Sequence, residues 1–514
     1  MPMARITIDP VTRIEGHLKI EAVVDSGVVK EAYSSGMLFR GIESILRGRD
    51  PRDAAVITQR ICGVCPQSHG IASVNCLDDA FGLTGKIPTN GVLMRNLIQG
   101  THDVQDHILH FYHLAALDYV DVAAVAGYEG SDPVLASLKE FAGRGELAPF
   151  VPRYEGDYRF SAEVNRELAA HYVRALEIRR KGHEMVALLG GKVPHSVGVV
   201  PGGVTEEPTV DKIASFLWRL RELQWFVDNV YLPDVLAVAK TYREYLDLGR
   251  GCGLLLSYGS YPEPEGGSLF AAGLINENLE CEPLEVKNIT EDVTYSWYEQ
   301  STSGRHPSDG ETVPQLGKSG AYSWLKAPRY GGRVCEVGPL AHVAVSYAAG
   351  KPRVKELVDW ALKELGASPK QLFSVMGRHL ARALATKLIA EALERWVLRL
   401  EPGQPSSVEY ELPEEAVGMG LTEAARGALG HWIRIKDCKI ANYQCVVPTT
   451  WNGSPRDAAG QPGAIEQALT GLPVKDPENP FELVRVVRSF DPCIACAVHT
   501  LTPRGSGIAR LRLG

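Results

Sequence analysis

The chain has no uninterrupted apolar run of eighteen or more residues, so nothing in it spans a membrane unaided. Met1-Pro2-Met3-Ala4-Arg5 leads straight into strand-like alternation with no apolar signal core behind it, so any export or membrane attachment is expected to come from a partner. A basic stripe is missing too: the formal net charge is −8, which argues against nucleic acid as a partner. Cysteine is sparse, ten in 514 residues, and Cys76, Cys252, Cys281, Cys335, Cys438 and Cys445 are scattered. That spacing excludes a disulfide framework. There is no low-complexity segment, no linker-like shift in composition, and no internal repeat beyond one duplicated cysteine pair.

What remains is an ordinary globular composition, 45% hydrophobic and 23% charged, on a chain long enough for a large buried core. Residues 5–33 alternate apolar and polar positions on both sides of Ser26-Gly27, which predicts a small antiparallel sheet. The middle is helical, over roughly 89–125, 161–190 and 208–247. A further helix is expected from Ser368-Pro369, with Phe373, Met376, Leu380, Leu384, Leu388 and Ala392 at three- and four-residue spacing. The Pro- and Gly-rich stretches 257–267 and 448–480 read as ordered surface excursions or buried loops. The expected fold class is α+β and mainly helical: a long-helix bundle core, a small N-terminal antiparallel sheet and peripheral loops, with the termini meeting at a buried metal site.

The duplicated pair carries that last expectation. Arg60-Ile61-Cys62-Gly63-Val64-Cys65 and Asp491-Pro492-Cys493-Ile494-Ala495-Cys496-Ala497-Val498-His499 present two C-x-x-C pairs at opposite ends of the chain. Four such thiolates enclose one soft metal ion if the fold brings the ends together. A structural zinc site is the commonest use of two such pairs. Against it, zinc ribbons space their pairs about 15 to 20 residues apart, whereas these stand more than 400 apart. A large core has little need of that staple. His69, one helical turn after Cys65, is placed either as a donor facing the site or as a satisfied core histidine.

Taken together, these motifs resemble the large, catalytic subunit of nickel-iron hydrogenases. Further matches follow in family order: Arg13-Ile14-Glu15-Gly16-His17, Phe39-Arg40-Gly41-Ile42-Glu43, Asp106 through Tyr112, Pro201-Gly202-Gly203, Lys326-Ala327-Pro328-Arg329-Tyr330, Ala425-Arg426-Gly427-Ala428-Leu429 and Val447-Pro448-Thr449-Thr450. The resemblance implies heterolytic, reversible cleavage of H2 into protons and electrons at a nickel-iron centre whose iron carries carbon monoxide and two cyanides. Cys62 and Cys493 would be terminal nickel ligands, and Cys65 and Cys496 would bridge nickel to iron. Glu15 would take the proton from Cys493; its plain alternative is a strand-end carboxylate paired with Arg13. Arg426 would overhang the metals, held by Asp106 and Asp491, or else be a buried ion pair without catalytic consequence. Val447, Pro448, Thr449 and Leu429 would line the diatomic ligands, the Thr449 hydroxyl donating to a cyanide. Position 425 departs from the family, which usually has proline there; alanine loosens a locked dihedral beside Arg426.

The resemblance also divides the chain. Residues 1–499 would be one catalytic domain, and 500–514 an extension that a maturation endopeptidase removes after His499, although Thr500 is not the residue expected after the cut. His499 would then join the Glu43 carboxylate and the Cys445 backbone carbonyl on a magnesium (or iron) ion. No further C-x-x-C pair or ferredoxin-like run remains here for an iron-sulfur cluster, so an iron-sulfur small subunit would carry the electrons in an obligate heterodimer or a higher assembly. Tyr295-Ser296-Trp297-Tyr298 and His306-Pro307 resemble the uptake, respiratory branch. That branch implies the periplasmic face of a membrane, reached on the small subunit's export signal and served by a membrane cytochrome; the alternative is the cytoplasm. Two other readings stay in play. One is the related quinone-site subunit of respiratory complex I, which has lost the cysteine pairs; the other is a zinc-stabilised interaction protein.

Overall fold

The computed structural model describes residues 3–145, 150 and 156–497. At the N-terminus the alternation becomes an antiparallel sheet of β1 (Ala4–Ile8), β2 (Leu18–Asp25) and β3 (Val28–Gly36), in that order. Leu18, Ile20, Ala22 and Val24 form its buried face. Ser26 and Gly27 make the two-residue turn, both with positive φ (54° and 77°), the geometry that matches strand twist.

Helix α1 (Pro66–Ala80) starts directly after the first cysteine pair, with proline in its first turn. The helical core consists of α2 (Thr89–Leu109), α3 (Ala162–Gly190), α4 (Val210–Phe226) and, later in the chain, α5 (Val375–Val397). Helices α3 and α5 each pack against both α2 and α4. Two expected helices are interrupted. The 89–125 and 208–247 stretches pass through wider π turns at His110–Ala115 and Val227–Tyr231. At the first, side chains are re-aimed toward distant partners: His110 Nε2 to the Arg488 carbonyl (2.7 Å) and the Tyr112 hydroxyl to Asp234 (2.5 Å).

Ser368-Pro369 opens only a short 3-10 turn, Pro369–Leu372. Helix α5 begins later because Ser374 supplies the cap, its hydroxyl accepting from the Gly377 N–H at 3.0 Å. The apolar stripe is buried as expected, but so is nearly every other face of α5, including Arg378 and Arg382. Arg378 is tolerated there because it pairs with Glu336 at 2.7 and 2.8 Å.

The 257–267 stretch is largely not an excursion. It lies mostly in β4 (Leu254–Pro262), paired with β5 (Ser268–Asn276). Positive φ at Gly259 and Tyr261 breaks the alternation that would have marked a strand. A third antiparallel sheet, β6 (Ala416–Ala424), β7 (Gly427–Lys436) and β8 (Lys439–Val446), packs on α1. Most of β7 is buried regardless of which side a residue faces, so no alternation announces it. Near the C-terminus, α6 (Phe481–Ser489) is buried throughout. Beyond it the chain pairs with the N-terminal loop: Glu15 bridges Cys493 in parallel, the Ile494 N–H donating to the Glu15 carbonyl at 2.7 Å. The two ends meet in the interior. Among the described residues no helix is long and apolar enough to cross a membrane.

Candidate metal centre

Cys62 ends a 3-10 turn in extended conformation, and Cys65 caps α1. The backbone N–H groups of Val64 and Cys65 both turn back onto the Cys62 sulfur at 3.2 Å, which fixes the first loop. Arg40 ties it to the second: its Nη2 donates to the carbonyls of Ile61 and Ala495, the latter at 2.6 Å. Sulfur-to-sulfur distances are 3.4 Å for Cys62–Cys493, 3.1 Å for Cys65–Cys496 and 3.0 Å for Cys493–Cys496. All four sulfurs are buried and lie within 4.8 Å of one another.

Their protonation is mutually dependent. Burial opposes ionisation of Cys62, but its three sulfur neighbours and Arg426 outweigh that and hold this thiol well below the usual range. The Cys493 contact pushes Cys65 well above it, and burial does the same for Cys496 and raises Cys493. Four touching thiols thus favour one negative charge, and a soft cation is what lets all four ionise. The donor set fits the metal centre implied by the sequence.

Over the sulfurs stands Arg426, at the tip of the β6–β7 hairpin, where Ala424 pairs with Gly427. Its Nη1 and Nη2 donate to Asp106 at 2.9 and 3.2 Å, and its Nε lies 3.1 Å from Asp491 Oδ1 as an ion pair. Burial lifts the Asp106 carboxyl to about 6 despite the guanidinium beside it. Position 425 lacks proline, yet the Ala425 carbonyl is anchored by His107 Nε2 at 3.1 Å, and Thr386 orients that ring from the other side at 2.9 Å. The loop is held by hydrogen bonds in place of a locked ring.

Leu429 and Val447 belong to the same buried cluster as the four cysteines. Pro448 opens a short buried helix, Pro448–Asn452, and the Thr449 hydroxyl oxygen accepts the Cys493 N–H at 2.9 Å, leaving its own proton to donate elsewhere. Glu15 is half-buried; burial, then the Cys62 thiolate, raises its carboxyl above the ordinary range. Arg13 is not its partner, since that guanidinium pairs with Asp118. His69 is buried beside the first pair, but its Nδ1 meets His431 Nε2 at 3.2 Å, and His431 continues to the Tyr443 hydroxyl at 2.8 Å. Burial holds His69 down at about 4, a neutral ring.

A second polar cluster surrounds Glu43, whose Oε1 accepts the Cys445 N–H at 2.9 Å and whose Oε2 accepts from Thr312. Nearby, Lys326 bridges Glu291 and Gln444, both at 3.0 Å, and the buried Glu291 Oε1 has no hydrogen-bond partner. A cavity of about 20 Å³ lies between Glu43, Glu291, Lys326 and Cys445. Carboxylates around so small a space suit a hard cation. His499 and the 500–514 extension lie outside the described residues. Asp118, Arg40 and Lys326, which tie these loops together, were not singled out as site residues from the sequence.

The family description "Nickel-dependent hydrogenase" matches residues 40–499, and a second, "HoxL-like", matches residues 5–35. The chain belongs to the nickel-dependent hydrogenases. It is therefore an oxidoreductase acting on H2. The periplasmic [NiFeSe] hydrogenase large subunit of Desulfomicrobium baculatum is 45% identical over 97% of this chain and 95% of its own length. The uptake hydrogenase large subunit of Bradyrhizobium diazoefficiens is 40% identical over 99% and 97%. The reduced Ni-Fe-Se hydrogenase of Desulfovibrio vulgaris Hildenborough superposes with a TM-score of 0.86 at 43% identity, over 97% of this chain and all of that one. Two of these names include selenium, whereas all four clustered positions of this hydrogenase are cysteine. Retention of both pairs also separates it from the complex I reading, in which they are lost.

Proposed function

We propose that this chain is the catalytic large subunit of an uptake hydrogenase that oxidises H2 and passes the electrons to an iron-sulfur small subunit. The observation that carries the reading is the cluster of four buried cysteine sulfurs within 4.8 Å of one another. Cys62 and Cys493 would hold nickel alone, and Cys65 and Cys496 would share it with iron. When bound, the nickel-iron pair supplies the redox-active Lewis acid that H2 cleavage requires. Leu429, Val447 and Pro448 would keep water from the iron's carbon monoxide and cyanides, and the Thr449 hydroxyl, whose oxygen already accepts the Cys493 N–H, would have its proton free to donate to a cyanide. Arg426 would present a fixed positive charge to the bound metals, kept in place by Asp106 and Asp491. The Cys493 sulfur accepts the proton and hands it to the Glu15 carboxylate, which burial makes a better base than an exposed one.

Glu43, the Cys445 carbonyl and His499 would hold magnesium once a maturation endopeptidase has removed 500–514, leaving 1–499 as one catalytic unit. The periplasmic relative supports a place on the outer face of a membrane, reached with the small subunit and served by a membrane cytochrome. Elemental analysis and infrared spectroscopy of the purified complex test the whole reading. Nickel should be present at about one atom per large subunit, with iron in excess of it because of the partner's clusters, and with bands of bound carbon monoxide and cyanide. Zinc alone, with no such bands, would return the site to a structural staple.

A further inference from the structure

The segment that bears Glu15 and the one that bears Cys493 meet in a short backbone bridge, with hydrogen bonds of 2.7 and 3.4 Å. Both are bent sharply nearby: Arg13 and Asp491 have φ of 55° and 56°, a left-handed conformation that side-chain-bearing residues keep only when their surroundings impose it. The contact is also tight, since a Cβ on Gly16 would stand 2.8 Å from the Ala495 nitrogen. Something must hold the two bends in register.

Asp118 meets that need. It lies just past the π turn that ends α2, fully buried, and one of its carboxylate oxygens, Oδ1, receives both Arg13 Nη2 and Arg488 Nη1. Arg13 belongs to the loop of Glu15, and Arg488 to α6, which leads to Cys493. Arg488 closes the circuit by donating to the Thr12 carbonyl at 2.9 Å and the Thr12 hydroxyl at 3.0 Å. Arg485, one turn earlier, donates to the Asp118 carbonyl at 3.2 Å through Nε. The carboxylate is therefore shared by the two segments whose separation sets the proton's path. Burial alone would neutralise it, but the two guanidiniums outweigh burial and keep it ionised.

We infer that Asp118 is a positioning residue for proton release, locking the Glu15 loop to the Cys493 segment through Arg13 and Arg488. The inference rests on the reading of Glu15 as the proton acceptor. Proton hand-over depends steeply on geometry, and a shift near 1 Å costs about a hundredfold. The metal ligands themselves stay tied through Arg40 and the backbone bridge, which do not involve Asp118.

The test compares Asp118→Asn, Asp118→Glu, Arg13→Gln and Glu15→Gln in the holoenzyme complex. Three signals are read: nickel content with infrared bands, para- to ortho-hydrogen conversion, and exchange of D2 with water. Conversion needs cleavage and recombination of H2 but no escape of the proton, whereas exchange needs both. Asp118→Asn should keep metals and conversion but lose about a hundredfold in exchange. Arg13→Gln, which removes only the N-terminal arm, should lose less, and Asp118→Glu should recover part of the rate. If Asp118→Asn and Arg13→Gln both lose metal, conversion and exchange in proportion, the clamp is merely structural and the inference fails. If Glu15→Gln abolishes exchange while both clamp variants retain it, only the positioning role falls. Exchange preserved in Glu15→Gln overturns the relay and the positioning role together.

Discussion

Arg426 is the residue at which catalysis and plain burial make opposite demands. Its side chain is 3% exposed, with two carboxylates around one guanidinium, an arrangement that replaces water without adding much net stability. What the geometry does supply is a cation that cannot swing away, because the Asp106 fork and Asp491 fix three of its directions. Arg426→Lys keeps the charge but loses the planar fork. The expected result is a fall in H2 oxidation of about a hundredfold to a thousandfold with nickel and iron contents unchanged. Assay of rate per nickel checks it; a rate that falls only as far as the metal content does would make the arginine a bridge and nothing more. At this scale the sequence was legible wherever a motif names a residue type, as for the four cysteines, Arg426 and its two carboxylates. It was silent on Asp118, which no quoted motif contains and whose partners lie 105 and 370 positions away, and it named Arg40 within a motif without giving it a task.

Among elements, the decisive contact is between α1, which starts at Cys65, and the β6–β7 hairpin, which ends in Arg426. The sheet approaches the helix through glycine. A Cβ at Gly420 would stand 2.1 Å from the Ala72 carbonyl oxygen and 2.3 Å from the Cys76 nitrogen, both backbone atoms that cannot step aside. Gly420→Ala must therefore push helix and hairpin apart, at a cost of about 1–3 kcal/mol. Thermal unfolding should shift down accordingly, and because the displaced helix begins at Cys65, nickel occupancy should fall too. A variant with unchanged melting and full nickel would show that the two elements can separate without disturbing the centre. The hairpin itself was not foreseen: with most of β7 buried, alternation disappears, and in β6 Gly418 and Gly420 are contact points with no side chain to mark a strand face. The helices were read correctly in position, 161–190 to within one residue, while 89–125 and 208–247 were read as continuous across the π turns at His110–Ala115 and Val227–Tyr231.

Over the whole molecule, the metal closes a loop of more than 400 residues, from Cys65 to Cys493. The helical core is expected to stand without that closure: α2, α3, α4 and α5 bury one another in an apolar cluster separate from the one that holds the sulfurs. The ends are expected to need it. Without a cation, burial and mutual contact disfavour ionisation of Cys65, Cys493 and Cys496, and the segments are joined by Arg40, the Asp118 clamp and two backbone hydrogen bonds. Metal binding should therefore act as local closure, with free energy concentrated where the ligands are. Hydrogen-deuterium exchange with mass spectrometry, comparing metal-free and loaded protein, should show peptides around 10–20, 58–70 and 484–497 gaining protection together. Peptides of α2 and α5 should already be protected before loading. If loading slowed exchange equally across the helical core, the centre would be a condition for folding at large, and the cysteine pairs would be a staple for the whole chain instead of a lock on its two ends.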